Sequence, residues 1–313
     1  MIPRMPRAVL IVTLALLATA GRTLPAQAHY ADDGGTSAAA SWRSAVEHVA
    51  AKAPDARILV LDIGSGRLLA SARLAEAGRT LATPGSTLKP LILYYALRLG
   101  RWNPEHRVAC GRQMRIGTHQ LNCAHPAADP MDAEQALTWS CNSYFAELAG
   151  GFTPGELHRA LSGRGLLAAT GLANEESVAD FREPQTRVQN QLAALGVEGI
   201  RITLPELAEA YRSLAIELKA HPETPAAKVV GAGLADSASF GMAGAASLGG
   251  VPVSGKTGTA VAEGGGVTHG WFVGLAPAQA PTLVVAVYVP VGRGSDAAQV
   301  AAGLLALSPM RKP

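Results

Sequence analysis

Residues 81–100 read LATPGSTLKPLILYYALRLG. Pro84 and Gly85 form a turn signal, Ser86 or Thr87 can cap the first exposed N–H groups, and Leu88, Leu91, Ile92, Tyr95 and Leu99 recur at helical spacing. The spacing predicts a helix from about Ser86. Positions i and i+3 share a helical face, so the Ser86 hydroxyl and the Lys89 amine should lie a turn apart, close enough to exchange a proton. With 17 serines and 6 lysines among 313 residues, chance alone supplies about 0.3 such pairs per chain, so the pair decides nothing by itself.

Upstream, ARILVLDIGSGRLLASARL (56–74) joins two apolar runs through a Gly-Ser-Gly turn and reads as a β-hairpin. Downstream, residues 132–149, 154–163, 187–195 and 204–218 carry apolar side chains at three- and four-residue spacing, with Pro154 and Pro205 at positions suited to a first turn. After Val251 the period changes. VPVSGKTGTAVAE (251–263), THGWFVGLAP (268–277) and PTLVVAVYVPV (281–291) read as three strands of an antiparallel meander, and a last helix is predicted at about 296–306. The expected class is α/β (α+β). An antiparallel sheet is assembled from both ends of the chain and flanked by N- and C-terminal helices, with an all-helical subdomain inserted between.

The N-terminus sets the compartment. MIPRMPR is basic, AVLIVTLALLATA is apolar but short for a membrane span, and AQA at 26–28 offers a small-x-small cleavage site. Residues 1–28 therefore read as an export signal, with an uncleaved membrane anchor as the alternative. Residues 29–40 read as a flexible leader and 41–313 as one folded domain. Removing Arg4, Arg7 and Arg22 from the 27 basic side chains leaves 24 against 24 acidic ones. The mature chain is near neutral, which argues against a nucleic-acid partner.

An exported chain can hold disulfides. Cys110 and Cys123 bracket a short polar loop containing glycine, which favours a bridge between them and leaves Cys141 as a small buried residue. The cysteines lack two close pairs or accompanying histidines, which argues against a zinc site. No metal or other cofactor is expected.

Two further stretches give the first one meaning. TWSCNSYF (138–145) holds Ser140 and Asn142 at i and i+2, and SGKTGTA (254–260) holds Lys256, Thr257, Gly258 and Thr259 in an expected strand. Ser-x-x-Lys, Ser-x-Asn and Lys-Thr-Gly in that order resemble the penicillin-binding transpeptidases and serine β-lactamases. PGSTLKP, ALTWSCNSYFAELA, ITLPELAEAYRSLA, VSGKTGTA and HGWFVGLAP are each similar to segments of class B penicillin-binding transpeptidase domains, and the likeness covers most of residues 55–307. Class B proteins normally carry a large N-terminal pedestal, whereas only some 50 residues precede the first strand here, so a stand-alone catalytic domain is expected.

The resemblance implies a function and a set of roles. Ser86 would be the acylated nucleophile, since acyl transfer needs a hydroxyl whose proton can be taken. Lys89 would take it, provided that burial and the like charge of Lys256 keep the amine neutral. Ser140 would relay a proton to the leaving amine and Asn142 would hold a substrate amide. Lys256, Thr257 and Thr259 would bind the terminal carboxylate, and Gly258 would let substrate approach the strand. The backbone amides of Ser86 and Thr259 would stabilise the oxyanion. The implied substrates are peptidoglycan stem peptides ending in D-Ala-D-Ala, with β-lactams as covalent inhibitors. A serine β-lactamase and a non-catalytic penicillin sensor or wall-binding protein are the alternatives. A class A lactamase would place Glu-x-x-x-Asn between the second and third motifs, and none of Glu175, Glu176 or Glu183 has the asparagine; Tyr-Gly-Asn, expected of class D, is missing too.

Overall fold

The computed structural model describes residues 37–126, 129–262 and 265–310. The export signal and most of the leader read from the sequence lie outside them. The helix α1 (Ser37–Lys52) starts within the last residues read as leader.

The chain then runs through β1 (Arg57–Asp62), β2 (Leu68–Ala72), α2 (Leu74–Arg79), a 3-10 turn at Gly85–Leu88 and α3 (Lys89–Arg98). A small hairpin follows, β3 (Gln113–Ile116) with β4 (His119–Asn122). The helical middle comprises α4 (Ala133–Thr138), α5 (Asn142–Gly150), α6 (Glu156–Ser162), α7 (Arg187–Ala194), α8 (Leu204–Ala220) and α9 (Pro225–Ser239). It also holds the two-residue pair β5 (Asp180–Phe181) and β6 (Ile200–Arg201). The chain closes with β7 (Ser254–Val261), β8 (Thr268–Ala276), β9 (Leu283–Val289) and α10 (Gly294–Ala306).

The five-stranded sheet has the order β2-β1-β9-β8-β7, all antiparallel. The N-terminal hairpin joins the C-terminal meander through β1 and β9, in a register that places Leu59 opposite Ala286 and Ile58 opposite Val287. Successive side chains on a strand point to opposite faces, and two cores follow from that. Ile58, Val60, Phe272, Val285 and Val287 meet Trp42 and Val46 of α1 and Ala301 and Leu305 of α10 on one face. Leu59, Leu61, Trp271, Val273, Val284 and Ala286 meet the helical middle on the other. This double covering explains why β9, LVVAVYV, is buried along its whole length and shows no polar alternation. Among the described residues, no helix is long and apolar enough to cross a membrane.

Two local readings change. The helix expected from Ser86 begins as a 3-10 turn with Pro84 at its N-cap and no side-chain cap; Thr87 Oγ1 instead donates to the Pro84 carbonyl at 2.9 Å. The single helix expected over 132–149 is two, α4 and α5, broken at Trp139–Cys141. Ser140 sits in that break with φ 56°, a left-handed conformation uncommon outside glycine.

Candidate active site

β7 is an edge strand, and the turn carrying Ser86 packs against it. The approach is close because two glycines allow it. Gly85 has φ 55°, and a Cβ there would meet Thr259 O at 2.8 Å and N at 3.0 Å. A Cβ on Gly258 would collide with the Pro84 carbonyl and lie 2.9 Å from Thr87 Cγ2. The turn is braced from behind as well. Tyr211 of α8 donates to the Thr87 carbonyl at 2.8 Å, and Trp271 Nε1 donates to the Thr83 carbonyl at 2.9 Å. His269 Nε2 lies 2.8 Å from that same Thr83 carbonyl, so these two β8 residues brace the turn against the sheet.

Lys89 opens α3 and is wholly buried. Its Nζ donates to the Ser140 carbonyl at 2.8 Å, Ser140 Oγ at 3.2 Å and Asn142 Oδ1 at 2.7 Å. Ser86 Oγ, half-buried one turn before, forms no hydrogen bond with it, although the helical spacing placed the two together. Catalytic hydrogen bonds commonly tighten only with substrate bound. From the other side, fully buried Lys256 donates to Ser140 Oγ at 2.8 Å and to the Thr257 carbonyl at 3.1 Å. The left-handed turn at Ser140 thus presents one hydroxyl to two lysines.

Burial lowers Lys89 from the usual lysine value to about 8. Burial, then the like charge of Lys89, holds Lys256 well below that usual value. Both shifts have the sign a neutral-amine base requires.

The remaining motif residues are placed as follows. Asn142 Nδ2 donates to the Asn122 carbonyl at 3.0 Å while Oδ1 accepts from Lys89, leaving one amide hydrogen for a substrate. Thr257 Oγ1 is turned to donate to the Met242 carbonyl at 3.2 Å, so its proton is not directed at a ligand. Thr259 is exposed and its Oγ1 accepts from Gly294 N–H at 2.9 Å, which leaves its own proton to donate.

Glu175, Glu176 and Glu183, the glutamates weighed as deacylating bases, all have structural partners. Glu175 pairs with Arg79 at 2.9 Å, Glu176 accepts from the backbone N–H groups of Thr170, Gly171 and Ala173, and Glu183 accepts from Gly155 N–H at 2.9 Å. Asp132 caps α4 through a capping box with Gln135.

The expected Cys110–Cys123 bridge is absent, and all three cysteines are free. Two of the sulfurs face other partners. Cys110 Sγ lies 3.4 Å from His125 Nε2, and Cys123 Sγ accepts from Asn142 N–H at 3.1 Å. His125, two residues after Cys123, is the ligand type that the spacing of the cysteines alone did not reveal.

A family model described as "Penicillin binding protein transpeptidase domain" matches residues 58–306. The chain belongs to that family. Solved transpeptidase domains share its fold. The transpeptidase domain of Burkholderia pseudomallei penicillin-binding protein 3 superposes with a TM-score of 0.73 at 22% identity, covering 87% of this chain and 93% of that one. A peptidoglycan glycosyltransferase from Burkholderia ambifaria gives the same values. The D,D-transpeptidase domain of a peptidoglycan glycosyltransferase from Eggerthella lenta gives 0.71 at 22%, covering 85% and 80%. No curated protein sequence matches significantly. Membership of the transpeptidase family makes acyl transfer the expected chemistry of the chain.

Proposed function

We propose that the chain is a serine D,D-transpeptidase or D-Ala-D-Ala carboxypeptidase acting on peptidoglycan stem peptides through a Ser86 acyl-enzyme. The observation that carries this reading is the position of Ser140 Oγ between Lys89 and Lys256, next to the turn bearing Ser86. In the first half-reaction Ser86 Oγ attacks the carbonyl carbon of the penultimate D-Ala and its proton passes to neutral Lys89. The amide C–N bond then breaks, and the departing D-Ala amine takes a proton through Ser140 Oγ, which Lys256 or protonated Lys89 resupplies. In the second, an acceptor amine or water attacks the ester and restores Ser86. Backbone N–H groups of Ser86 and Thr259 would hold the oxyanion, an interaction of about 3 kcal/mol per donor. Lys256 and Thr259 are the better-placed groups for the terminal carboxylate; Thr257 would have to leave Met242 to join them.

Peptide substrates suit the edge position of β7, where an extended chain can add main-chain hydrogen bonds. A groove at the end of β7, lined by Leu81, Thr83, Arg182, Val261 and Ala262, offers room for such a chain. Export is part of the reading: the basic start, apolar run and AQA site would deliver the domain to the wall, cleaved or anchored, and N-terminal sequencing of exported material distinguishes those two forms.

The test is intact mass after exposure to penicillin. One adduct on Ser86, lost in Ser86→Ala, is expected, and labelling unchanged in that variant overturns the nucleophile. Stem pentapeptide with and without an acceptor amine then separates cross-linking from release of D-Ala alone. Turnover of neither, with intact labelling, would point to a penicillin sensor.

A further inference from the structure

Cys110, Cys123, His125 and Cys141 come from separate stretches, yet their donor atoms all lie within 4.8 Å of one another. Cys110 precedes the β3–β4 hairpin, Cys123 and His125 follow it, and Cys141 lies in the α4–α5 break between Ser140 and Asn142. Cys123, His125 and Cys141 are buried, while Cys110 is part-exposed and gives a route in from solvent.

The histidine is already oriented. Its Nδ1 lies 2.6 Å from the Pro126 carbonyl. A carbonyl only accepts, so Nδ1 carries the hydrogen and Nε2 is left with its lone pair on the side of Cys110 Sγ. A backbone carbonyl on the far nitrogen is the partner that metal-bound imidazoles ordinarily take. The sulfurs have outer partners too, with Asn142 N–H directed at Cys123 Sγ and Ser143 Oγ–H at Cys110 Sγ. Hydrogen bonds of that kind stabilise thiolates. A lone S–H···N bond would explain Cys110 and His125 but not the convergence of the other two thiols.

We propose that these four side chains bind one thiophilic, four-coordinate divalent cation of the zinc class. Three sulfurs and one imidazole nitrogen are a closed tetrahedral donor set of the structural type. With bonds of about 2.0 to 2.3 Å, tetrahedral donors sit roughly 3.3 to 3.8 Å apart, so the present spread has to close by about an ångström. Binding displaces three S–H protons to water and leaves a complex of charge −1, with no change of oxidation state.

The site has a consequence for the cleft. Asn142 gives its backbone N–H to Cys123 and its side-chain oxygen to Lys89, and Cys141 directly follows Ser140. The cation would tie the β3–β4 hairpin to the left-handed turn that holds Ser140 between two lysines. It touches no reacting atom. Its role is positioning.

The experiment begins with the full chain, incubated with Zn²⁺ and reductant, desalted and assayed for metal. About one equivalent is expected. Cobalt substituted for zinc should show thiolate charge-transfer absorption and the intense visible bands of a four-coordinate ion. Chelation should expose thiols that are unreactive in the loaded chain, and Cys110→Ser and His125→Ala should lower metal content at least tenfold. Less than a tenth of an equivalent in the wild-type chain overturns the proposal whether or not any variant folds, as do weak octahedral cobalt bands or an intact mass two hydrogens low from a cysteine bridge. Penicillin acylation that slows about tenfold on chelation and returns on adding zinc supports the positioning role; a rate indifferent to metal removes that role. Because metal content is read without substrate, its failure is distinct from failure of the acyl-transfer reading.

Discussion

Lys89 and Lys256 donate to the same oxygen, Ser140 Oγ, from 3.2 and 2.8 Å. Two ammonium groups so placed repel each other in a buried site, and the energy is lowered when one gives up its proton. The shared hydroxyl is therefore a point where protonation state and geometry are coupled.

From this follows a pH dependence. On the proposed reaction Lys89 must be neutral to take the Ser86 proton, and burial brings it to about 8. The second-order rate of penicillin acylation should rise about tenfold per pH unit below that value and level off above it. A rate flat from pH 6 to 9 would remove Lys89 as the base. Stability follows the same shift. The unfolded lysine stays protonated to 10.5 while the folded one does not, so the unfolded chain binds more protons between about 8 and 10.5 and stability rises with pH across that window. Urea titrations should show this rise in the wild type and a smaller one in Lys89→Met.

Ser140 carries a backbone cost along with its hydroxyl. At φ 56° a residue with a Cβ is strained by about 1 to 2 kcal/mol relative to glycine. Ser140→Gly should therefore be more stable than Ser140→Ala by about 1 kcal/mol in denaturant, while both lose acylation by roughly 10²- to 10⁴-fold through loss of the proton relay. Equal stability of the two would mean that the turn is not held in the left-handed form.

The contrast between these residues and their neighbours shows what the sequence made legible. The strand runs around Ile58, Lys256 and Val285 stood out through β-branched composition and Gly/Pro boundaries, and the three motifs were recognisable from residue order. The break at Ser140 was not. Apolar periodicity runs through Leu137, Cys141, Tyr144 and Leu148, and neither glycine nor proline marks the turn. Helix α9 was equally hidden, since GAGLADSAS is rich in small residues that weaken the apolar period. The Cys110–His125–Cys141 cluster depends on a hairpin and a helix break meeting in space, which linear spacing does not report.

Gly258 is the position where strand and nucleophile turn touch. A Cβ there collides with the Pro84 carbonyl, a backbone atom that cannot swing aside. Gly258→Ala should push β7 away from Ser86 and displace the Thr259 N–H from the oxyanion, lowering the acylation rate by about 10²- to 10³-fold. The melting temperature should change far less than the rate, as read by thermal scanning beside stopped-flow labelling. Near-wild-type acylation would place the oxyanion donors elsewhere.

Stability away from the cleft has its own sensitive point. Glu206 is fully buried and accepts from Thr203 N–H and Oγ–H and from Ala179 N–H, each at 2.9 Å. Glu206→Ala leaves the buried Thr203 N–H and the half-buried Ala179 N–H unpaired, for a loss of about 3 kcal/mol in urea unfolding. Penicillin labelling per folded molecule should be unchanged, because the residue is three positions into α8 and bonds no group of the cleft.

On the proposed reaction, the lifetime of the acyl-enzyme is decided by whether a base can reach the ester's attacking water. Glu175, Glu176 and Glu183 lie in the interval where class A lactamases keep theirs. Each is already engaged, Glu175 with Arg79, Glu176 with the turn at Thr170–Ala173 and Glu183 with Gly155 N–H. Freeing Glu176 would strand three backbone N–H groups, a cost of several kcal/mol at about 1 to 3 kcal/mol each. Nitrocefin should therefore give a burst of about one equivalent per chain followed by slow turnover, and the Ser86 adduct should survive gel filtration. Glu176→Gln should destabilise the 170–176 loop without changing the slow rate. Rapid steady-state hydrolysis, suppressed in that variant, would instead identify Glu176 as a deacylating base and make the chain a β-lactamase.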